Sequence, residues 1–151
     1  MPVKIIDITN DSGALINSEW LARAERVHRQ LRPGMPADYA GRLRHMFTSG
    51  ARMLVAVEAD NVLGVAIWRL IENTYEGRRL YVDDLVTDEA RRSGGVGKAL
   101  LDFLEQRARA LGCDVLALDS GVQRAQAHKF YFREGMVITS FCFRKTLTPP
   151  T

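Results

Sequence analysis

The spacing of apolar residues changes several times along the chain, and each change marks an element. Residues 3–9 are short and rich in β-branched side chains, which predicts a strand. From Ser18 the period becomes helical: Trp20, Ala24, Val27 and Leu31 fall on one side, with Glu19 in the first turn. Asn17 or Ser18 can cap this helix, and Leu31-Arg32-Pro33-Gly34 stops it near Gln30. Tyr39, Leu43 and Phe47 predict a second, shorter helix over 37–48. The runs 53–58 and 62–74, joined by Ala59-Asp60-Asn61, read as a β-hairpin, and Tyr75-Glu76-Gly77 turns into a further strand over 80–87. Val96, Leu100, Leu104, Ala108 and Leu111 restore the helical period, which Gly112 closes. A compact strand over 115–118, a helix over 125–133 and a last strand over 136–146 complete the series. This order predicts an α/β fold with a mixed sheet. No linker, repeat or low-complexity stretch divides it, so 1–151 reads as one domain.

Composition narrows the class. With 46% hydrophobic and 26% charged residues, the chain is a soluble globule, neither disordered nor a disulfide scaffold. Lys and Arg exceed Asp and Glu by 21 to 18, a mild excess spread along the chain. It forms no basic stripe interleaved with aromatics, so no nucleic-acid partner is expected. Cys113 and Cys142 stand alone, which suits a reducing cytoplasm. His28, His45 and His128 are scattered without metal-ligand spacing, so no metal is expected. The first residues carry Asp7 and lack the apolar core of a signal peptide. The longest apolar runs fall far short of a membrane span, so no membrane partner is expected either.

The stretch richest in chemistry is Arg91-Arg92-Ser93-Gly94-Gly95-Val96-Gly97-Lys98, between a predicted strand and a predicted helix. Amides at a helix start have no internal partners and lie at the positive end of its dipole, so they attract anions. Glycines allow close backbone approach, and Arg92 and Lys98 add charge. A Walker A loop would need glycine at Arg92 and Ser or Thr at Ala99; the dinucleotide fingerprint would need glycine at Leu100. Neither fits.

Arg92-x-x-Gly95-x-Gly97, following Tyr81-Val82-Asp83-Asp84-Leu85-Val86-Thr87, resembles the coenzyme loop of the GNAT superfamily of acyl-CoA-dependent N-acyltransferases. Downstream, Ala127-His128-Lys129-Phe130-Tyr131-Phe132-Arg133-Glu134-Gly135-Met136 is similar to that family's Ala-x-x-Phe-Tyr-x-x-x-Gly-Phe segment, with Met136 in place of Phe. The resemblance implies a GNAT-type mixed, largely antiparallel central sheet flanked by helices, and acetyl-CoA as co-substrate. It implies that Arg92, Ser93, Gly94, Gly95, Val96, Gly97 and Lys98 hold the pyrophosphate, and that Leu85, Val86 and Thr87, after a bulge, pair with the pantetheine arm. Arg124 stands where the family often has an asparagine, so that contact is not carried over. The family often dimerises through its last strands, and residues 139–143 are apolar enough to take part.

Acetyl transfer to an amine requires an unprotonated amine, whose reference pKa is about 10.4, and a leaving thiolate that gains a proton. The resemblance makes Tyr131 the acid at the sulfur. Asp83 and Asp84 are adjacent carboxylates in an apolar strand; successive residues face opposite ways, so at least one should face the splayed centre of the sheet. Asp83 matches the position of the base-like glutamate in spermidine/spermine acetyltransferases and leads as base, with Asp84 second. Both could instead be strand-end carboxylates paired with Arg78 or Arg79. Cys142 reads as a packed strand residue rather than a nucleophile, and Trp20, Tyr39, Trp68 and Tyr75 as candidate lining of the acceptor pocket. The expected activity is N-acetyl transfer to a primary amine, with a small cationic amine favoured. A protein N-acetyltransferase and a non-catalytic acyl-CoA sensor or scaffold are the alternatives.

Overall fold

Alternation of side chains across a sheet divides the apolar residues of β-strands between two layers, and both layers are filled here. The computed structural model describes residues 3–92 and 94–149, which fall into two compact units within Met1–Leu118 and Asp119–Thr151. The first unit contains β1 (Lys4–Asp7), α1 (Glu19–Leu31), α2 (Tyr39–Thr48), β2 (Arg52–Glu58), β3 (Asn61–Asn73) and β4 (Gly77–Thr87). A 3₁₀ turn at Glu89–Arg91, α3 (Val96–Ala110) and β5 (Val115–Leu118) follow. The strands form one five-stranded sheet in chain order, antiparallel from β1 to β4, with β5 parallel to β4 after the α3 crossover.

On one face, Leu21, Ala24 and Val27 of α1 and Leu43 and Phe47 of α2 pack with Met53, Val55, Val65 and Ile67. On the other, Val96, Leu100, Leu104 and Ala108 of α3 pack with Leu54, Ala66, Trp68, Leu80 and Val82. Strands β2 and β3 are therefore buried on both faces, which is why their sequence runs continuously apolar rather than alternating. Burying each Val, Leu, Ile, Met or Phe side chain among them contributes about 1.5–3 kcal/mol.

Neither expected cap of α1 forms. Ser18 occupies the N-cap without a side-chain bond, and the Asn17 amide donates to the Asp7 carbonyl at 2.6 Å, tying the helix entrance to β1. Asp38 caps α2 through the Gly41 amide. The β2–β3 turn closes with Ala59 at a φ of 52°, and β4 begins at Gly77, earlier than expected, because residues 77–79 pair with 71–73.

One irregularity decides which way β4 points its side chains. Val82 pairs with Trp68 and Asp84 with Ile67, leaving Asp83 as an extra residue in a β-bulge. Before the bulge Leu80 and Val82 face α3; after it Leu85 faces α3 and Val86 faces α1. Without the bulge, Asp84 would share the apolar α3 layer with Leu80 and Val82. With it, Asp84 lies opposite Ile67 on the α1 side.

The second unit contains α4 (Ala125–Arg133), closed by Gly135 at a φ of 90°. The strand expected over 136–146 is not formed: residues 136–149 hold neither helix nor strand. A strand exists only when a neighbouring strand takes its backbone donors and acceptors, and this unit contains no other. Cys142, expected as a packed strand residue, is exposed for the same reason. No helix among the described residues is long and apolar enough to cross a membrane.

Gly64 of β3 sets how closely α3 approaches the sheet. A Cβ there would stand 2.7 Å from Leu100 Cδ1, 3.0 Å from Val96 Cγ1 and 3.1 Å from the Val86 carbonyl oxygen. Backbone on one side and helix on the other leave it no room. Gly64→Ala is expected to lower the unfolding free energy by about 1–3 kcal/mol, read from urea denaturation; an unchanged midpoint would show that α3 can move away freely.

Candidate functional site

Pairing of β4 with β5 runs from Arg79↔Val115 to Val82↔Leu118 and stops there. Residues 84–87 continue to pair with β3, through Ile67, Ala66, Val65 and Gly64. From the bulge onwards β4 therefore has one paired edge and one edge with no strand beside it among the described residues. Leu85, Val86 and Thr87 lie on this half-paired stretch, at intermediate burial.

The strand then runs into the glycine loop through Asp88, 5% exposed, whose neighbours explain where the loop starts. The Asp88 carboxylate accepts from Arg26 Nη2 at 2.7 Å, from Gln30 Nε2 at 3.2 Å and from the Ala90 amide at 3.2 Å. Gln30 in turn accepts from the Glu89 amide at 2.9 Å. Arg91 closes the turn with two bonds to Glu58, at 3.1 and 3.2 Å. Hydrogen bonding from Arg26, against the cost of burial, and then from Gln30 and Ala90 holds the Asp88 carboxyl down at about 2. Sequence reasoning missed this anchor, since its partners lie some sixty residues back on α1.

Beyond it Arg92 is exposed, and Gly95 takes a φ of 83° as the N-cap of α3. A left-handed N-cap without a side chain leaves the first-turn amides of Val96 and Gly97 uncapped, at the positive end of a helix of 15 residues. Gly94 is exposed, and Lys98 lies 3.4 Å from Asp102. Ser93, assigned to the same loop, lies outside the described residues.

The bulge brings both carboxylates of β4 to charged partners, though not to Arg78 or Arg79. Asp83 Oδ2 accepts from Arg69 Nε at 2.7 Å. Asp84 Oδ2 meets His28 Nε2 at 2.7 Å, and its Oδ1 lies 2.8 Å from Arg32 Nε and Nη2. Arg32 Nη2 also donates to the Asp83 carbonyl at 3.1 Å. On the far side of the imidazole, His28 Nδ1 lies 2.8 Å from the Tyr39 hydroxyl. His28 and Tyr39 are 1% and 3% exposed, so this polar line lies inside the apolar layer between α1, α2 and the sheet.

The charge states of the line follow from the chemistry of its groups. Burial works against the Asp84 carboxylate, but the hydrogen bonds and charges of His28 and Arg32 outweigh it and hold its pKa below the ordinary range. An ionised carboxylate only accepts, so Nε2 donates to it, and on the other side of the ring Nδ1 bonds the Tyr39 hydroxyl, which carries its own proton. Burial, reinforced by Glu25, pushes the Tyr39 phenol well up, so it keeps that proton. Tyr39 thus serves a buried network rather than lining a pocket. Trp68 is buried and Tyr75 exposed on a turn, and neither touches the β4 carboxylates through any observed bond. An open cleft of about 400 Å³ beside Gly13, Arg44 and Arg52 shares no lining residue with these groups.

Tyr131 belongs to α4 of the second unit. Its ring packs 5.4 Å from that of Phe130, and burial raises its phenol, with Arg124 opposing. Arg124 is the N-cap residue of α4 and makes no side-chain cap bond.

A model of the acetyltransferase (GNAT) family matches residues 17–136. The chain is 34% identical over 130 residues to Uncharacterized N-acetyltransferase YhdJ of Bacillus subtilis, covering 84% of this chain and 91% of that protein. It is 35% identical over 66 residues to the aminoalkylphosphonate N-acetyltransferase of Salmonella typhimurium, 44% of this chain and 43% of that one. Among solved structures, aminoglycoside N-acetyltransferase AAC(6')-Iy in complex with CoA shares the fold, with a TM-score of 0.81 at 17% identity, over 97% of this chain and 96% of that one.

The Asp88 anchor has a pH signature. A carboxyl held below its ordinary value of 3.8 contributes its full stabilisation above that pH and loses it as pH falls through about 2. Asp88→Asn is expected to be less stable than the parent at neutral pH, with the difference shrinking between about pH 4 and pH 2. Urea unfolding at each pH measures it; a difference independent of pH would show that the charge of Asp88 contributes nothing.

Proposed function

The chain belongs to the acetyltransferase (GNAT) family of acyltransferases, and on that premise we propose that it moves the acetyl group of acetyl-CoA to a primary amine by direct attack in a ternary complex. The observation that carries this reading is the half-paired end of β4 running, past Asp88, into the uncapped start of α3. An extended, amide-bearing arm pairs with a strand edge as another strand would, and a pyrophosphate suits helix-start amides. Leu85, Val86 and Thr87 are the residues for the arm. Arg92, Gly94, Gly95, Val96, Gly97 and Lys98, with Ser93, are those for the pyrophosphate.

The reaction forms a carbon–nitrogen bond and breaks a carbon–sulfur bond. One proton leaves the amine and one reaches the departing sulfur. Asp83, directly or through a water, takes the first. Asp84, whose lowered pKa makes it a poor proton acceptor at neutral pH, serves as a fixed negative charge that draws in the amine. Tyr131 gives the second proton; its raised pKa keeps the phenol loaded. No metal takes part in this scheme.

Two adjacent carboxylates favour a small cationic amine as acceptor. The matched relatives named for aminoalkylphosphonate and aminoglycoside acetylation support a small-molecule amine. We place the enzyme in the cytoplasm as a single N-acetyltransferase domain. It pairs with a second copy through residues 139–143, which include Phe141, Cys142 and Phe143 and lie outside any strand of their own unit.

Two measurements test the reading. Calorimetric titration of the purified protein should show micromolar binding of acetyl-CoA and none of ATP or NAD. Absence of acetyl-CoA binding would sink the proposal. Tyr131→Phe should leave acetyl-CoA affinity nearly intact and lower turnover by about tenfold or more; unchanged turnover would remove Tyr131 from the mechanism.

A further inference from the structure

A buried His–Tyr–Asp line is an unusual use of interior volume. Three polar groups in an apolar layer stabilise a fold less dependably than apolar side chains of the same size, so their retention calls for another account. Every polar atom of the line that faces the interior is matched: Tyr39 to His28, and His28 to Asp84 Oδ2. The other carboxylate oxygen differs. Asp84 Oδ1 and the Asp83 carbonyl both accept from Arg32. The side chain of Asp84 is 11% exposed and that of Arg32 is 51% exposed, so the guanidinium lies between the carboxylate and solvent.

Arg32 is also placed to leave. It is the C-cap residue of α1, with φ and ψ of −124° and 70°, outside the helix proper and directly before Pro33-Gly34. Among the described residues, its side chain bonds the two oxygens at the bulge. A half-exposed ion pair contributes little and is readily exchanged for another cation of equal charge. His28 cannot be exchanged in the same way, because it is sealed in the core. The geometry is thus a negatively charged seat with a fixed back and a replaceable front, and a cation of the chain itself already sits in it.

We propose that Arg32 is a specificity-determining residue of the acceptor site: it occupies the seat formed by Asp84 Oδ1 and the Asp83 carbonyl, and the cationic group of a diamine acceptor enters by taking its place. His28 and Tyr39 are positioning residues that hold the carboxylate towards that seat. Monoamines, whose one nitrogen must be neutral to react, gain nothing from the seat. Diamines and polyamines, which keep a second charge, do. The inference rests on the reading of the protein as an amine acetyltransferase but concerns a binding step that can be measured without turnover.

The test is calorimetric titration of 1,4-diaminobutane into the intact chain and into Arg32→Ala, Arg32→Lys and Asp84→Asn, each first checked for an intact thermal transition. Removing the competing cation should tighten diamine binding about fivefold or more in Arg32→Ala. Arg32→Lys, which keeps a cation in the seat, should bind like the parent. Asp84→Asn should lose binding; because that variant disturbs a buried network, the two Arg32 variants carry the decision. Diamine affinity in Arg32→Ala equal to or weaker than that of the parent, or no detectable binding in either, would overturn the proposal. Titration of acetyl-CoA into the same samples separates the two readings. If acetyl-CoA binds and the Arg32 pattern fails, only this inference falls; if the pattern holds without acetyl-CoA binding, the proposed transfer reaction falls instead.

Discussion

The single extra residue at Asp83 is the constraint from which the site follows. A strand obeys a two-residue period, and one inserted residue reverses the face of everything after it. Here that reversal moves Asp84 from the apolar α3 layer to the α1 layer, where His28 and Arg32 meet it. It returns Val86 to the α1 side and Leu85 to the α3 side, so the end of β4 stays packed on both faces. Pairing with β5 ends at Val82, the residue before the bulge, and the stretch of β4 paired on one edge among the described residues begins there. The turn of the carboxylates and the end of pairing with β5 therefore meet at the same place in β4.

Two groups of side chains from α1 then hold the functional end of β4. Arg26 and Gln30 seize Asp88 and so fix the entrance to the glycine loop, while His28 and Arg32 seize Asp84. Residues 26 and 30 are one helical turn apart on α1, and His28 lies one turn before Arg32, its C-cap, so one helix and its C-cap meet both carboxylates at the end of β4 and just beyond it. Close packing of α3 over Gly64 supplies the remaining restraint, since it sets where the first-turn amides of that helix lie relative to β3 and β4. The loop is thus positioned from both faces of the sheet.

Much of this was legible in the sequence, for identifiable reasons. Helices α1, α2 and α3 announced themselves through apolar spacing, and the β2–β3 hairpin through two apolar runs joined by a short polar turn. The glycine loop was legible because the backbone conformations it needs restrict the residue type: Gly95 does adopt the left-handed region. Other features left no such mark. Ala59 adopts a positive φ with no glycine to signal it. His28 reads as one more residue of an amphipathic helix, and nothing local shows that it faces a carboxylate 56 residues away. The apolar run 136–146 has strand-like chemistry but no strand beside it within its unit.

By itself, then, the sequence determined what depends on neighbours in the chain: the periods of helices and strands, the turn residues, the glycine-cradled helix start and the family pattern of the loop and α4. Only the tertiary structure decided the bulge at Asp83, the partners of Asp83, Asp84 and Asp88, and the fate of the last apolar run. Those depend on registers and contacts between segments far apart in the chain. A strand's alternation shows that it has two faces, but which carboxylate turns to which helix is settled only when another strand pairs with it and one residue is left over.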